Sequence, residues 1–194
     1  MPPAVLVTGG ARRIGGAIAR AFAAAGWHAV IHHRDSHDEA DALAAALPSA
    51  EVAACDLADG DAAVAMIAAL AARLPDWRVL VGSAAVFRHD TAEALDPAIF
   101  TEAMAVNAAT PVRMAQAFLA QARAKGGRRV IQLTDQKLVN PNPDFLSYTM
   151  AKHALGASIP MMAMACRNPD DRIYGLAPGA SLPSFDQWAS EHEV

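Results

Sequence analysis

Tyr148 and Lys152 stand four residues apart, in Tyr148-Thr-Met-Ala-Lys152. On a helix this spacing makes them stacked neighbours, roughly 5–6 Å apart at Cβ. An ammonium beside a phenol favours the phenolate and lowers the phenol pKa from its ordinary value of about 10. A tyrosine tuned in that way gives or takes a proton near neutral pH, which is what chemistry at a carbonyl requires. The same spacing also describes an ordinary exposed helix face. Two further features select between these readings: a glycine-rich turn near the N-terminus, and Asp135 at the end of a predicted strand that precedes the tyrosine.

The turn reads Thr8-Gly-Gly-Ala-Arg-Arg-Ile-Gly15. It follows an apolar run and opens a predicted helix. Small residues at such a place let backbone N–H groups approach a pyrophosphate, which the positive end of the helix attracts. The alternative is a plain strand-to-helix turn. The common G-x-G-x-x-G is absent, and Arg13 stands where a glycine is expected. The second strand ends in His32-His33-Arg34. An acid here would hold a ribose 2′-OH, whereas an arginine suits a 2′-phosphate, so NADP is expected over NAD, with Asp35 as a competing partner for the cation. His32, His33, His37 and Asp38 are metal-ligand types, but a strand end followed by a helix capped through Ser36-x-x-Glu39 explains them better, and no metal is expected. Asp56, after the third strand, either accepts a hydrogen bond from adenine or shapes a turn with Asp59.

The elements that must carry these residues follow from the hydrophobic pattern. Apolar runs at Ala4–Thr8, His28–His32, Val52–Cys55, Val79–Val81, Val130–Leu133 and Arg172–Leu176 alternate with predicted helices over Arg13–Ala25, Asp38–Leu47, Asp61–Leu74, Pro97–Ala124 and Ser147–Arg167. Alternating strands and helices with buried-type strands predict an α/β fold, a doubly wound parallel sheet of Rossmann type covered on both faces. Pro160 falls inside the helix that carries Tyr148 and Lys152 and is expected to kink or split it. Residues 1–194 read as one domain.

Composition narrows the function classes. A hydrophobic content of 54% with 19% charged residues is that of a soluble globular protein, and a net charge of −4 speaks against a broad nucleic-acid footprint. No apolar run reaches membrane-spanning length. Met1-Pro-Pro leads directly into the first strand without a basic segment, so a signal peptide is not expected and a cytoplasmic location is. Cys55 and Cys166 lie in apolar segments and read as free thiols.

Taken in order, Thr8–Gly15, Asp56, Asn107, Asp135, Tyr148, Lys152 and Pro178-Gly179 resemble the short-chain dehydrogenase/reductase family over nearly the whole chain. Within it the sequence most resembles the pteridine reductase and dihydromonapterin reductase branch. Arginine replaces the middle glycine of the turn, Asp135 stands where most members have serine, and Phe87 falls where that branch stacks a phenylalanine on the pterin. Phe87 is equally readable as a core aromatic. The resemblance implies an NADPH site built from Thr8, Gly9, Arg12, Arg13, Ile14, Gly15, His33, Arg34, Ser36, Asp56, Leu57, Ala84, Tyr148, Lys152, Pro178 and Gly179. It implies substrate contacts from Arg13, Phe87, Asp135 and Tyr148. The fourth strand departs from the family, reading Gly82-Ser83-Ala84-Ala85 in place of Asn-Asn-Ala-Gly. That change predicts lost hydrogen bonds near the cofactor. The family pattern also runs to about 250 residues, so the final helix and strand are expected to be missing, together with much of the interface of a homo-oligomer, a dimer or tetramer.

The resemblance further implies a division of labour. Tyr148 supplies a proton. Lys152 holds the nicotinamide ribose and depresses the Tyr148 pKa. Asn107 holds a water in the proton relay, or merely marks an irregular helix turn before Pro111. Asp135 assists protonation, orients the substrate, or caps the segment Gln136–Val139. The expected activity is hydride transfer to a C=O or C=N group of a small molecule, with a pterin among the candidates. The alternatives are a broad carbonyl reductase and a nucleotide-binding relative without catalysis.

Overall fold

The computed structural model describes residues 1–179. Six strands form one sheet: β1 (Ala4–Val7), β2 (His28–His33), β3 (Ala50–Ala54), β4 (Trp77–Gly82), β5 (Arg129–Leu133) and β6 (Arg172–Leu176). Their order is β3-β2-β1-β4-β5-β6 and all five pairings are parallel. The connections therefore diverge between β1 and β4. In such a sheet the crevice outside the carboxyl ends of those two strands is the natural ligand site.

The strands read as unbroken apolar runs because helices cover both faces. β1 shows the consequence of the two-residue period: Ala4 and Leu6 enter one core, Val5 and Val7 the other. The first core is packed by α3 (Gly60–Arg73) and α5 (Thr110–Gln121), with Trp77 and Phe118 edge to face at 4.8 Å. The second is packed by α1 (Arg13–Ala24) and α2 (His37–Ala46). Asp59 caps α3 through Asp61 N and Ala62 N, and Asp96 caps α4 (Pro97–Met104) through Ala98 N and Ile99 N, with proline favourably placed in the first turn.

Several local expectations change. The helix predicted over 97–124 is interrupted: α4 passes into a π-helical turn, Ala105–Ala109, before α5 begins. Asn107 lies in that turn, so the irregularity expected before Pro111 is present. α6 (Leu146–Ala165) runs through Pro160 without splitting, and Pro160 lies on an exposed side two turns beyond Lys152. Ser36 makes no side-chain cap to α2; Glu39 pairs instead with Arg12 at 3.3 Å. No helix of the described residues is long and apolar enough to cross a membrane. The expectation about a missing last helix and strand concerns the chain after Gly179 and lies outside the described residues.

Candidate active site

The turn after β1 is shaped by backbone. Gly9 has φ +62°, and a Cβ there would lie 2.9 Å from Ala84 Cα; a Cβ at Gly15 would overlap the Gly9 carbonyl. Arg13 has φ +49°. The position that looked glycine-like in the sequence is thus left-handed, and an arginine there carries strain of about 1–2 kcal/mol. Thr8 joins the turn to the end of β4: its hydroxyl accepts from Ser83 N at 2.9 Å and Ala84 N at 3.0 Å. Arg12, at the N-cap of α1, makes no side-chain cap, so the first amides of that helix have no side-chain partner from it.

His32 braces the same turn from β2, a role that sequence reading missed. Its Nδ1 accepts from Gly9 N at 3.2 Å. The other nitrogen, Nε2, must then carry the hydrogen and donate to Cys55 O at 3.0 Å. Burial pushes its pKa down to about 4, so it stays neutral. No pattern in the sequence marks this residue, because both partners come from other strand ends. His33 is buried, packs edge to face on His37 at 4.6 Å, and lines the cleft; its Nδ1 has no hydrogen-bond partner among the described residues. The four metal-ligand types near this point do not converge. No group of three or more His, Cys, Asp or Glu is placed to hold a metal among the described residues.

Arg34 donates from Nε to Asp35 at 2.6 Å, and its Nη1 lies 4.0 Å from Glu102. Its pKa rises first because of that Asp35 hydrogen bond. The guanidinium stays half exposed at the cleft edge with Arg12, Arg13 and Ser36. Asp56 also lines the cleft, and its Oδ1 accepts from Ala58 N at 2.9 Å, so its turn-shaping role is realised.

At the other end of the cleft Asp135 follows β5. Oδ1 accepts from Lys137 N at 2.9 Å and caps the short 3₁₀ turn Gln136–Leu138; Oδ2 accepts the Tyr148 hydroxyl at 2.5 Å. The capping role considered for this carboxylate is therefore present, and the same side chain holds the Tyr148 hydroxyl. Lys152 is buried, donates to Leu133 O at 2.7 Å, and lies 5.7 Å from the Tyr148 ring centroid. Its pKa is lowered to about 8 by burial, against the pull of Asp135. The expectation that Lys152 depresses the Tyr148 pKa is corrected here: burial, and then the hydrogen bond and charge of Asp135, push the phenol well above its usual value. The phenol donates its hydrogen bond to the carboxylate, whereas the ammonium donates to a carbonyl.

Phe87 stacks on Phe145 with centroids 4.0 Å apart and meets Tyr148 edge to face at 4.6 Å. Phe145 adopts a left-handed conformation, φ +58°, just before α6. Buried Asp90 caps that helix, accepting from Ser147 N at 3.0 Å and Ser147 Oγ at 2.5 Å. Asn107 does not line the cleft. It is fully buried, with Oδ1 accepting from Val86 N and Nδ2 donating to Val86 O, each at 2.8 Å. Its side chain fixes the strand exit, with one hydrogen bond made by each of its polar atoms.

The two ends belong to one cleft of about 530 Å³, lined by Gly9, Arg12–Gly15, His33, Arg34, Ser36, Asp56, Leu57, Ser83–Phe87, Asp135, Tyr148, Lys152, Pro178 and Gly179. That volume lies within the range of cofactor sites. A glycine cradle at a helix N-terminus and three arginines at one end fit a phosphorylated dinucleotide.

The short chain dehydrogenase family model matches residues 3–193. The fold is similar to that of FolM alternative dihydrofolate reductase 1 from Brucella suis in complex with NADP, with a TM-score of 0.86 and 34% identity over 97% of this chain and 79% of that one. Pteridine reductase 1 of Leishmania tarentolae is 28% identical over 98% of this chain and 81% of its own length. D-threitol dehydrogenase of Mycolicibacterium smegmatis is 31% identical over 91% of this chain and 69% of its own. On sequence and structure together, the chain belongs to the short chain dehydrogenase family.

Proposed function

We propose that this protein is an NADPH-dependent reductase that adds a hydride and a proton across a C=O or C=N bond, with a pterin as its preferred substrate. The observation that carries this reading is the Asp135–Tyr148 pair at 2.5 Å beside Lys152 and Phe87, facing the phosphate-binding turn across one cleft. When bound, the cofactor supplies the hydride. Gly9, Arg12, Arg13, Ile14 and Gly15 would hold its pyrophosphate, His33, Arg34 and Ser36 would receive the 2′-phosphate, and Asp56, Leu57 and Ala84 would border the adenosine. Lys152 and the Pro178-Gly179 segment border the nicotinamide end.

Tyr148 keeps its proton at neutral pH in this arrangement and directs it at Asp135. Tyr148 would pass that proton to the substrate oxygen or ring nitrogen. The phenolate left behind would lie beside Asp135, with the Lys152 ammonium 5.7 Å from its ring centroid, and would recover a proton from solvent. Asp135 orients the phenol and offers a carboxyl oxygen to a pterin amino group or ring nitrogen. Phe87 offers an aromatic face, and Arg13 a cation at the cleft mouth. Asn107 positions the strand exit through Val86. Residues 1–194 act as one catalytic domain, in a homo-oligomer in the cytoplasm.

The relatives lend support, since one is a pteridine reductase and another an alternative dihydrofolate reductase. The test has two stages. NADPH fluorescence is titrated first, then oxidation of NADPH is followed with dihydrobiopterin, dihydrofolate, quinones and simple ketones. Pterin turnover well above ketone turnover is the expected result. Ketone turnover alone assigns a broad carbonyl reductase, and binding without turnover a non-catalytic relative. Asp135→Ser sharpens the choice. It should depress pterin reduction by about a hundredfold and spare ketone reduction, because serine hydrogen-bonds a carbonyl but cannot serve as a carboxyl group toward a ring nitrogen. Parallel loss of both activities would reduce Asp135 to support of the Tyr148 geometry.

A further inference from the structure

Gly82 ends β4 at the cleft and pairs in register with Gln132 of β5. A Cβ at position 82 would overlap Oε1 of Gln132. Gln132 is 2% exposed, and its Nε2 donates to Pro111 O at 3.2 Å. A carbonyl oxygen can only accept, so this bond fixes which way the amide points. Oε1 therefore lies over Gly82 and has no partner among the described residues. Holding a buried amide this way requires a glycine beneath it.

The segment leaving β4 is clamped at three points. Gln132 lies against Gly82, the Thr8 hydroxyl takes the amides of Ser83 and Ala84, and Asn107 grips both backbone groups of Val86. Ser83, Ala84 and Ala85 line the cleft. Ala84 also touches the glycine turn, with no room for a Cβ at Gly9. A small displacement of this segment is therefore transmitted to the phosphate cradle, because close-packed backbone cannot absorb it. The departure from the family asparagines thus comes with a brace supplied from β5.

We propose that Gln132 is a positioning residue for the cofactor end of the cleft, acting through Gly82 and the Ser83–Ala85 segment, and that residues 82 and 132 function as a coupled pair. This inference rests on the NADPH reading above. The test is a double-mutant cycle read as the NADPH Kd by fluorescence, with melting curves run beside it to verify that each protein is folded. Gln132→Leu and Gln132→Ser should weaken NADPH binding about tenfold, the scale of a lost buried hydrogen bond. Gly82→Ala should weaken it about fivefold in the wild-type background, because the new methyl displaces the amide, and by less than twofold in the Gln132→Ser background, where nothing remains to displace. A merely structural Gln132 would lower the melting temperature and leave the Kd of the folded protein unchanged. Wild-type Kd values in the Gln132 variants, or an equal Gly82→Ala effect in both backgrounds, overturns the proposal. If Gln132→Leu does not fold, the Gly82→Ala comparison decides alone. A wild-type protein that does not bind NADPH overturns the functional reading and this inference with it.

Discussion

The two ends of the cleft are built on opposite principles. The end near β1 and β2 is made of backbone and exposed cations: a glycine turn, the first turn of α1, and Arg12, Arg13 and Arg34 at the surface. The end near β5 and α6 is made of buried side chains in direct contact, Asp135 with Tyr148 and Lys152 with the Leu133 carbonyl. The difference matches the tasks proposed for the two ends. Phosphate is large, charged and well hydrated, and amide groups with mobile guanidinium groups hold it without burying charge. Moving one proton needs donor and partner held in contact, and burial supplies that contact while displacing the pKa values of both Tyr148 and Lys152.

The largest effect that separates the ends is expected from Tyr148→Phe. Turnover should fall about a thousandfold, the range for loss of a positioned proton donor, while the NADPH Kd measured by fluorescence changes less than twofold. Substantial residual turnover would mean that the buried end is not where the proton comes from.

Arg34→Ala addresses the open end. NADPH binding should weaken about thirtyfold and NADH binding less than twofold, since only the former carries the 2′-phosphate. Competition titrations with both cofactors check this. Equal losses would make Arg34 a structural partner of Asp35 and Glu102.

The buried end should also be visible in the pH dependence of stability. Lys152 has its pKa lowered to about 8 from the ordinary 10.5. Between those values the unfolded chain holds a proton that the folded protein has released, so this group makes stability rise as pH increases from about 8 toward 10. Tyr148 acts in the opposite sense above 10.0, where the unfolded phenol ionises and the folded one does not. Urea denaturation of wild type and Lys152→Met from pH 7 to 10 should show the rise in the first and a flatter profile in the second.

The smallest effect belongs to the open end. Arg13→Gly removes a side chain from a left-handed position and should stabilise the fold by about 1 kcal/mol, read as a rise in Tm, while weakening NADPH binding. A loss of stability would show that the arginine side chain supports the turn by contacts that outweigh its backbone strain.

The pattern of apolar runs was enough to place six strands and the helices between them, because a parallel sheet covered on both faces leaves an unbroken hydrophobic record. It was less reliable where side chains, not periodicity, decide. The π-helical turn at Ala105–Ala109 carries no breaker before Pro111; it depends on Asn107 closing onto Val86 across a different element. Pro160 looked like an interruption, yet α6 passes through it, since the ring faces solvent and neighbouring turns keep their bonds. Ser36 had the right type and spacing for a cap, but Glu39 is drawn to Arg12.

The sequence by itself determined the candidates for the site and their order along the chain: Thr8 to Gly15, Arg34, Asp135, Tyr148 and Lys152. Residue type and spacing nominated them, and their order along the chain carried the family resemblance. Only the tertiary structure decided how the groups act on one another. Tyr148 meets Asp135 and not Lys152, so its pKa rises where four-residue spacing predicted a fall. His32 locks Gly9 to Cys55, and Gln132 fills the space over Gly82. Each of these contacts joins residues from different elements, and a sheet of order β3-β2-β1-β4-β5-β6 creates neighbours that spacing along a sequence cannot express.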